Sequence, residues 1–273
     1  MTLKTSLMTV AAAAATSLMF AATASPAWAA KCSNDGAAYG AWLEQFSQEA
    51  AASGIGKRGL AALANTRYSK ATISADRNQK SFKLSLDQFM KVRGGATIIS
   101  KGKSLRKSNA GLFDAIEKRY GVPAGPLLAI WGMETGFGGF MGNENVLSAT
   151  ATLSYDCRRS EFFTGHLLAL LQLIDQGVVS PDAKGAKHGE LGHTQFLPGN
   201  VLRYGVDGDG NGSVNMNSKA DALASTANFL KGHGWSRGGG YQPGEGNFGA
   251  IQGWNAAGVY QKAIAIIAAE IDG

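Results

Sequence analysis

The sequence predicts a predominantly α-helical protein of the α+β class, with only a small β-containing part. Apolar residues recur at helical spacing along most of the chain, and glycine or proline ends most of these segments. Few segments alternate apolar and polar residues as half-buried strands do. We expect short β structure only near residues 142–152 or in the loop that begins at Asp207.

The first element is a leader rather than part of the fold. Residues 1–29 contain one early lysine, an alanine-rich apolar run without acidic residues, and the sequence Ala27-Trp28-Ala29. These features predict a secretory signal peptide cut after Ala29. A membrane anchor is the alternative, but the apolar run is short and interrupted by Thr and Ser. We therefore expect a soluble periplasmic protein without a membrane span.

Residues 30–273 are interpreted as one domain with two parts. A helical lobe covers about 37–120, where apolar helix-like segments alternate with basic, polar connectors. The remaining core, about 121–273, is also mostly helical and ends in the strongly apolar segment 258–271. The glycine-rich stretch 236–249 predicts a loop, either at the rim of a binding cleft or as a plain surface connector.

Composition and charge restrict the class of partner. The formal net charge is +6 at pH 7, but the basic residues are scattered and no nucleic-acid-binding motif occurs. We therefore expect no nucleic-acid partner. A modest positive field suits an anionic extracytoplasmic polymer. Cell-wall glycan, with its lactyl and peptide carboxylates, is one such polymer.

Cys32 and Cys157 are the two cysteines of the chain. In an oxidising compartment an isolated pair favours one disulfide, here joining the N-terminal segment to the middle of the chain. Two free thiols are the alternative, because the sequence does not fix the distance between them. The four histidines form no metal-binding pattern of spacing.

Glu134 is the candidate catalytic residue. Leu127, Ile130, Trp131 and Glu134 lie on one stripe of a predicted helix that ends at Gly136. A carboxylate on an apolar stripe near a helix C-terminus is disfavoured both by desolvation and by the helix dipole. A carboxyl that keeps its proton near neutral pH can act as a general acid. A simple solvated glutamate is the alternative.

A glycosidase of the common type needs a second carboxylate across the cleft. No partner for Glu134 follows from spacing, although Asp156, Glu161 and Glu190 are candidates. Aromatic side chains that could stack on sugar rings are frequent in this half of the chain, and Tyr155 is taken as one that binds substrate. Each aromatic residue on its own is more often part of a core.

The segment that begins at Asp207 resembles a calcium-binding loop. Asp207, Asp209, Asn211 and Ser213 occupy the positions of alternate oxygen ligands, and glycine stands where the chain must turn sharply. Ser218 replaces the usual bidentate glutamate, so Asp221 is the candidate for the missing carboxylate. The alternative is a metal-free turn. We expect a structural Ca²⁺ site at 207–221 and no organic cofactor.

Six segments in this order resemble the lytic murein transglycosylase B family. They extend over nearly the whole chain after the leader: "DRNQKSF" (76–82), "WGMETGFGGFMGNENVLSATATLSY" (131–155), "RRSEFF" (158–163), "GHTQFLPGNVLRYGVDGDGNG" (192–212), "ANFLKGHGW" (227–235) and "WNAAGVYQKAI" (254–264). The resemblance implies a lysozyme-like core, an EF-hand-like calcium loop and cleavage of the β-1,4 bond between N-acetylmuramic acid and N-acetylglucosamine. Peptidoglycan glycan strands would be the substrate, and we expect a monomer.

In this resemblance one glutamate carries the reaction, and Glu134 matches it. It would protonate the leaving oxygen while the substrate N-acetyl group assists, and would then act as a base on the sugar 6-hydroxyl to close a 1,6-anhydro ring. Gln195, Asn255 and Tyr260 match cleft residues of the family. A cleft tyrosine is replaced by Phe229, a serine near the acid by Ala186, and a small residue by Glu190.

Two other functions remain open at this point. A muramidase would let water attack the sugar, with Glu190 or Asp156 as the helper. A catalytically weak wall-binding protein would keep the cleft only as a groove, which the changes at Ala186 and Phe229 make conceivable.

Overall fold

The computed structural model describes residues 30–78 and 84–273. The predicted leader and part of the segment 76–82 therefore lie outside the described residues. The first part of the chain forms a short 3-10 helix and six α-helices: Gly36–Ala38, then α1 (Tyr39–Ala52), α2 (Lys57–Ala64), α3 (Lys70–Arg77), α4 (Leu86–Arg93), α5 (Gly95–Ser108) and α6 (Ala110–Tyr120).

The second part contains seven further helices and two very short strands. In chain order these are α7 (Ala124–Thr135), β1 (Glu144–Asn145), α8 (Val146–Tyr155), α9 (Ser160–Asp175), β2 (Lys184–Gly185), α10 (Pro198–Tyr204), α11 (Lys219–Gly232), α12 (Phe248–Trp254) and α13 (Gly258–Asp272). The strands pair antiparallel, Glu144 with Gly185. The predicted fold class is confirmed, and β1 lies in one of the two stretches where β structure is expected.

Helix α7 is the central helix of the fold, and its sequence explains why. Eleven of its twelve residues are buried, and Glu134 is the exception. A helix that is apolar on all sides belongs in the interior. It packs against α13, α5, α11 and α6. Gly132 permits the close approach of α5, because a Cβ at this position would lie 2.4 Å from Ile98 Cγ2.

One hydrophobic core runs through both parts of the chain. Its buried residues extend from Tyr39 in α1 to Ile271 in α13, and α2 packs on α9 while α5 packs on α7 and α13. The helical lobe therefore shares its core with the rest of the molecule. Among the described residues, no helix is both long and apolar enough to traverse a lipid bilayer.

A polar cluster joins the N-terminal segment to the connection between α8 and α9. Cys32 and Cys157 form the predicted disulfide, with their Cα atoms 5.0 Å apart. Next to it, the buried carboxylate of Asp76 accepts hydrogen bonds from Arg158 and Arg159. Burial raises the pKa of Asp76, but the two guanidinium groups outweigh it and lower that pKa below its ordinary value.

The loop 236–249 serves as a connector in this structure. Arg237 donates to the backbone carbonyls of Glu117 and Lys118 at the end of α6, and Tyr241 donates to Asp272 at 2.8 Å. These contacts hold the loop against the ends of α6 and α13. It contributes no residue to the pocket that contains Glu134.

Candidate active site

Glu134 lies in the last turn of α7, next to an abrupt change in chain direction. Gly136 and Phe137 have φ angles of 59° and 65°, so two consecutive residues adopt the left-handed conformation. This conformation is natural for glycine and strained for phenylalanine. Phe137 packs edge to face on Trp131, with ring centroids 5.4 Å apart. This contact fixes the turn and therefore the position of Glu134.

The end of α7 is also tied to the segment 191–196. The Trp131 indole N–H donates to Nδ1 of His193 at 3.1 Å, and the Thr135 hydroxyl donates to the His193 carbonyl at 2.7 Å. Burial lowers the pKa of His193, which favours the neutral ring that can accept the indole proton. The helix end and this segment are therefore held as one unit.

Two side chains from the C-terminal helices donate hydrogen bonds to Glu134. The Tyr260 hydroxyl lies 2.7 Å from Oε1, and the Trp254 indole nitrogen lies 3.0 Å from the same oxygen. Both donors are neutral. Because Oε1 accepts two hydrogen bonds, a proton on this carboxyl belongs on Oε2, which these two contacts leave unoccupied.

The environment of Glu134 favours its protonated form. Burial raises the pKa of the carboxyl, and this effect exceeds the lowering by Tyr260 and Trp254; Glu190 raises the pKa further and Arg93 lowers it. Burial and the neighbouring carboxyl also raise the pKa of Tyr260, so this phenol remains a donor. The side chain of Glu134 is nevertheless only partly buried, as an acid that must reach a substrate requires.

Glu134 faces a pocket of about 220 Å³. Its walls come from α7, the segment 190–200, α11 and the end of α12, and the lining residues are Glu134, Glu190, Gln195, Phe196, Leu197, Asn200, Phe229, Trp254 and Asn255. Larger cavities occur elsewhere in the described residues, including one of about 750 Å³ beside the Asp207 loop. None of these contains a carboxyl with a raised pKa, so chemistry rather than volume identifies the site.

Aromatic rings form one wall of this pocket. Phe229 and Trp254 meet edge to face with centroids 5.1 Å apart, and Phe196 lies 5.4 Å from Trp254. Phe229 also stacks on His233 at 3.9 Å. The predicted substrate residue Phe229 is thus brought to the site, as a buried side chain whose accessible edge lines the pocket.

Gln195 and Asn255 line the pocket as well. Gln195 has a φ of 54°, and its side-chain amide donates to the Gly192 carbonyl at 2.8 Å. Asn255 follows the end of α12, where its Oδ1 accepts from the Ala257 backbone at 2.9 Å. Local hydrogen bonds therefore fix both side chains before any substrate enters.

Tyr155 requires a correction. It has no exposed surface, its hydroxyl donates to the Asp35 carbonyl, and its ring packs among Tyr39, Trp42 and Tyr68. At this position it cannot contact a substrate in the Glu134 pocket. Its role is structural, because it attaches the N-terminal segment to the end of α8.

Of the three candidate second carboxylates, the structure brings Glu190 to the pocket. Asp156 is 2 % exposed and bound by Arg77 at 2.5 Å, and Glu161 is exposed in the first turn of α9. Neither lines the pocket. Ala186 lies directly after β2, where its backbone N–H donates to the Glu190 carbonyl at 3.0 Å.

The predicted metal ligands come together at the Asp207 loop. Carboxylate oxygens of Asp207, Asp209 and Asp221 lie within 4.8 Å of one another. Asp221 is fully buried and accepts from the backbone of Gly208 and Asn215. Asn211 accepts from the Ser213 backbone and hydroxyl. Hard oxygen donors grouped in this way suit a Ca²⁺ ion.

Sequence reasoning missed several residues of the site. Phe196, Leu197 and Asn200 line the pocket although no sequence pattern points to them, and Trp254 is not predicted as a donor to Glu134. A signal existed for Trp254, because it precedes Asn255 within one of the six family-like segments. No comparable signal pointed to Arg93 in α4.

Comparisons with known proteins agree with this geometry. The sequence profile of the Transglycosylase SLT domain matches residues 38–245. Membrane-bound lytic murein transglycosylase B from Escherichia coli (strain K12) is 40 % identical over 121 residues, which are 44 % of this chain and 34 % of that protein. The match thus spans about a third of the length of this relative.

Solved structures give the same result. SltB3 from Pseudomonas aeruginosa, in complex with NAG-anhNAM-pentapeptide, aligns with a TM-score of 0.79 and 28 % identity over 86 % of this chain and 80 % of that chain. The Escherichia coli lytic transglycosylase Slt35 in complex with calcium aligns with a TM-score of 0.74 and 23 % identity over 84 % and 92 % of the two chains. The latter shows a common fold. The chain belongs to the Transglycosylase SLT domain family.

Proposed function

We propose that this protein is a lytic transglycosylase that cleaves the β-1,4 bond between N-acetylmuramic acid and N-acetylglucosamine in peptidoglycan and leaves 1,6-anhydro ends. The observation that carries this proposal is the partly buried carboxyl of Glu134, which lies at the end of a buried helix, lines a pocket and accepts hydrogen bonds from two neutral donors on Oε1. Family membership and the peptidoglycan fragment bound to SltB3 support the substrate class.

The chemistry follows from the two oxygens of Glu134. Tyr260 and Trp254 hold Oε1, so Oε2 carries the proton and donates it to the departing glycosidic oxygen. The substrate N-acetyl group attacks the anomeric carbon from the other side, which replaces the second carboxylate of common glycosidases. The Glu134 carboxylate then takes the proton of the 6-hydroxyl as that oxygen attacks the anomeric carbon, closes the anhydro ring and displaces the N-acetyl oxygen. Acid and base are therefore the same group.

Other pocket residues would orient the glycan. The amides of Asn255 and Gln195 offer hydrogen bonds to acetamido and hydroxyl groups, and Phe229 with Trp254 offers an aromatic surface to a sugar face. Tyr260 acts through Glu134 rather than through the sugar. These roles are part of the proposal.

The test is mass spectrometry of muropeptides that the purified protein releases from sacculi. We expect products with anhydro ends, lighter by one water than hydrolysed ends, and roughly 10²–10⁴-fold slower release by Glu134→Gln. That variant should still bind glycan strands in a pull-down. If wild type and Glu134→Gln release products equally slowly, the protein is a wall-binding protein and the proposal fails.

A hydrolytic muramidase is the second candidate, because Glu190 places another carboxyl in the pocket. In that reaction water attacks the sugar and leaves reducing ends, which are heavier by one water than anhydro ends. The same experiment therefore decides between the two reactions.

We also propose that the Asp207 loop binds Ca²⁺ as a structural ion. Asp207, Asp209, Asn211, Ser213 and Asp221 would hold it, and the ion would balance the three clustered carboxylates. A chelator should lower the melting temperature, by an amount equal to about 2.7 kcal/mol of stability if Ca²⁺ was present at a hundred times its Kd. Asp221→Asn, which lacks one of the ligands, is the control, and its melting temperature should not respond to the chelator. A wild-type melting temperature that is also unchanged by the chelator would contradict the Ca²⁺ site.

Export to the periplasm completes the proposal. Residues 1–29 have the composition of a signal peptide, and a disulfide joins Cys32 to Cys157. N-terminal sequencing of protein from a periplasmic extract should begin at Ala30. Protein that keeps residues 1–29 and stays in the cytosolic fraction would contradict export.

A further inference from the structure

The pocket around Glu134 contains a second ionisable side chain, that of Glu190. The other residues that line it are apolar, aromatic or amide-bearing, so no cationic side chain lines this pocket among the described residues. A carboxylate here therefore shares the pocket with Glu134, and the positive charge that opposes its effect on Glu134 comes from Arg93 in α4, which does not line the pocket. Two carboxyl groups that share one site cannot both ionise readily.

The backbone around Glu190 fixes its position. Leu191 pairs with Phe196 in a β-bridge, and the Ala186 N–H donates to the Glu190 carbonyl. Gly189 has a φ of 86°, and a Cβ at this position would lie 2.2 Å from Thr150 Oγ1. Only glycine permits this close turn, so the sequence holds residues 186–191 against α8.

His188 holds the Glu190 side chain. Its backbone N–H donates to Oε2 of Glu190 at 3.1 Å, and its ring Nδ1 lies 3.5 Å from Oε1. On the other side, its Nε2 lies 4.0 Å from the buried carboxylate of Asp76, which Arg158 and Arg159 bind. The imidazole thus lies between a fixed structural carboxylate and the carboxylate of the pocket.

We propose that Glu190 is a positioning carboxylate of the active site, held by His188, and that its negative charge keeps the proton on Glu134 until the glycosidic bond breaks. The inference rests on the proposed function, because only an enzyme needs this proton. The titration that tests it does not depend on turnover. It applies whether the nucleophile is the sugar 6-hydroxyl or water, because both reactions begin with the same proton transfer.

Four side chains and burial act on the pKa of Glu134, each in a defined direction. Burial raises the pKa of Glu134, Tyr260 and Trp254 lower it by hydrogen bonding, and Arg93 lowers it from α4. Among these groups, Glu190 supplies the one charge that raises it. Removing that charge should therefore lower the pKa of Glu134, and the protein should lose its catalytic proton at a lower pH.

Trp254 provides a direct probe, because its indole N–H donates to Glu134. In ¹⁵N-labelled protein we would follow the indole resonance of Trp254 against pH. We expect Glu190→Gln to move the midpoint of this titration down by at least about half a pH unit, as loss of a like charge requires. Glu190→Asp keeps the charge and should restore most of the shift.

Glu144→Gln is the matched control. Glu144 lies in β1, paired with Gly185 beside the same turn, but does not line the pocket. We expect the midpoint of the Trp254 indole titration in Glu144→Gln to equal that of the wild type. An unchanged midpoint in Glu190→Gln, or an equal shift in the control, would overturn the proposal.

A double-mutant cycle tests the role of His188. His188→Gln should lower the midpoint less than Glu190→Gln does, because Glu190 becomes loosely held. In the Glu190→Gln background it should produce no further change. A further change of similar size would show that His188 acts on Glu134 directly, which contradicts the assignment of His188 as the support of Glu190.

The two proposals fail in different ways. The indole titration requires no turnover, so it gives an answer even if the protein releases no muropeptide. If turnover is present, the high-pH limb of the rate profile should move down in Glu190→Gln by the same amount as the indole midpoint. If Glu190→Gln shows the expected shift but the wild type has no turnover, the enzyme assignment is refuted and the role of Glu190 stands.

Discussion

Two carboxyl groups in this molecule, that of the buried Asp76 and that of the partly buried Glu134, have opposite environments. Asp76 is 2 % exposed and bound by the guanidinium groups of Arg158 and Arg159, which lower its pKa. Within the described part of the chain, Glu134 accepts hydrogen bonds from the neutral donors Tyr260 and Trp254, and burial raises its pKa. An acid that is paired with a permanent cation stays ionised and serves the structure. An acid whose partners are neutral donors can keep its proton and donate it to a substrate.

The largest expected effect separates the two groups by function. Glu134→Gln should reduce turnover by roughly 10²–10⁴-fold, as loss of a general acid does, while the melting temperature at pH 5 stays near that of the wild type. Muropeptide release and thermal unfolding are the measurements. Glu161→Gln, an exposed change in α9, should alter neither. A melting temperature several degrees lower in Glu134→Gln would show that Glu134, like Asp76, has a structural role.

The second effect concerns stability. Asp76→Asn should destabilise the fold by about 2 kcal/mol, because two guanidinium groups lose their anion. Arg158 and Arg159 are 41 % and 34 % exposed, so the loss should be smaller than for a fully buried pair. Chemical denaturation measures it, with the exposed Asp114→Asn in α6 as the control. Equal unfolding midpoints for the two variants would show that the cluster contributes nothing.

The pH dependence of the Asp76 contribution has a defined sign. Its pKa in the fold is lowered, so its contribution is complete above the unfolded pKa of about 4 and is lost as the pH falls toward the folded value. The difference between wild type and Asp76→Asn should therefore shrink below pH 4. A difference that grows on acidification would contradict the assigned pairing.

A smaller effect tests the neutral donors. Tyr260→Phe removes one hydrogen bond to Glu134 and should raise the pKa of this carboxyl, which moves the high-pH limb of the rate profile upward. The loss of about 1 kcal/mol of hydrogen bonding should reduce turnover several-fold. Tyr241→Phe removes a comparable bond to Asp272 outside the pocket. An identical shift in both variants would show that the effect is not local.

The smallest expected effect is the pH dependence of stability at Glu134. Because its folded pKa is raised, its contribution is complete below the unfolded pKa of about 4 and is lost as the pH rises through the folded pKa. Glu134→Gln should therefore gain stability relative to wild type between pH 4 and 7. Melting temperatures at both pH values measure this, and a constant difference would mean that the two pKa values are alike.

The sequence identified those parts of the site that depend on local pattern. The position of Glu134 follows from helical spacing and the glycine after it, and the Asp207 loop from the spacing of its oxygen-bearing residues. Both are properties of short segments. The family-like segments added Gln195 and Asn255, which line the pocket, and Tyr260, which donates to Glu134, and no periodicity could predict that these three residues lie close to Glu134.

The parts that could not be predicted depend on long-range contacts. Asp76 meets Arg158 across 82 positions, and a run of charged residues gives no sign of such pairing. Tyr155 was assigned to the substrate because aromatic residues serve cores and sugar sites equally well. Its side chain points into the core because Tyr39, Trp42 and Tyr68 surround it. The partner set, rather than the residue type, decides the role.

The disulfide between Cys32 and Cys157 bears on how the protein should be produced. It closes a loop of 125 residues, for which chain-entropy accounts give roughly 4–5 kcal/mol of stabilisation, and Cys157 directly precedes the arginines that bind Asp76. A recombinant host whose cytosol keeps thiols reduced would therefore yield a less stable chain with a loosened arginine cluster. Expression strains with oxidising folding conditions, and buffers without dithiothreitol, are the appropriate choice.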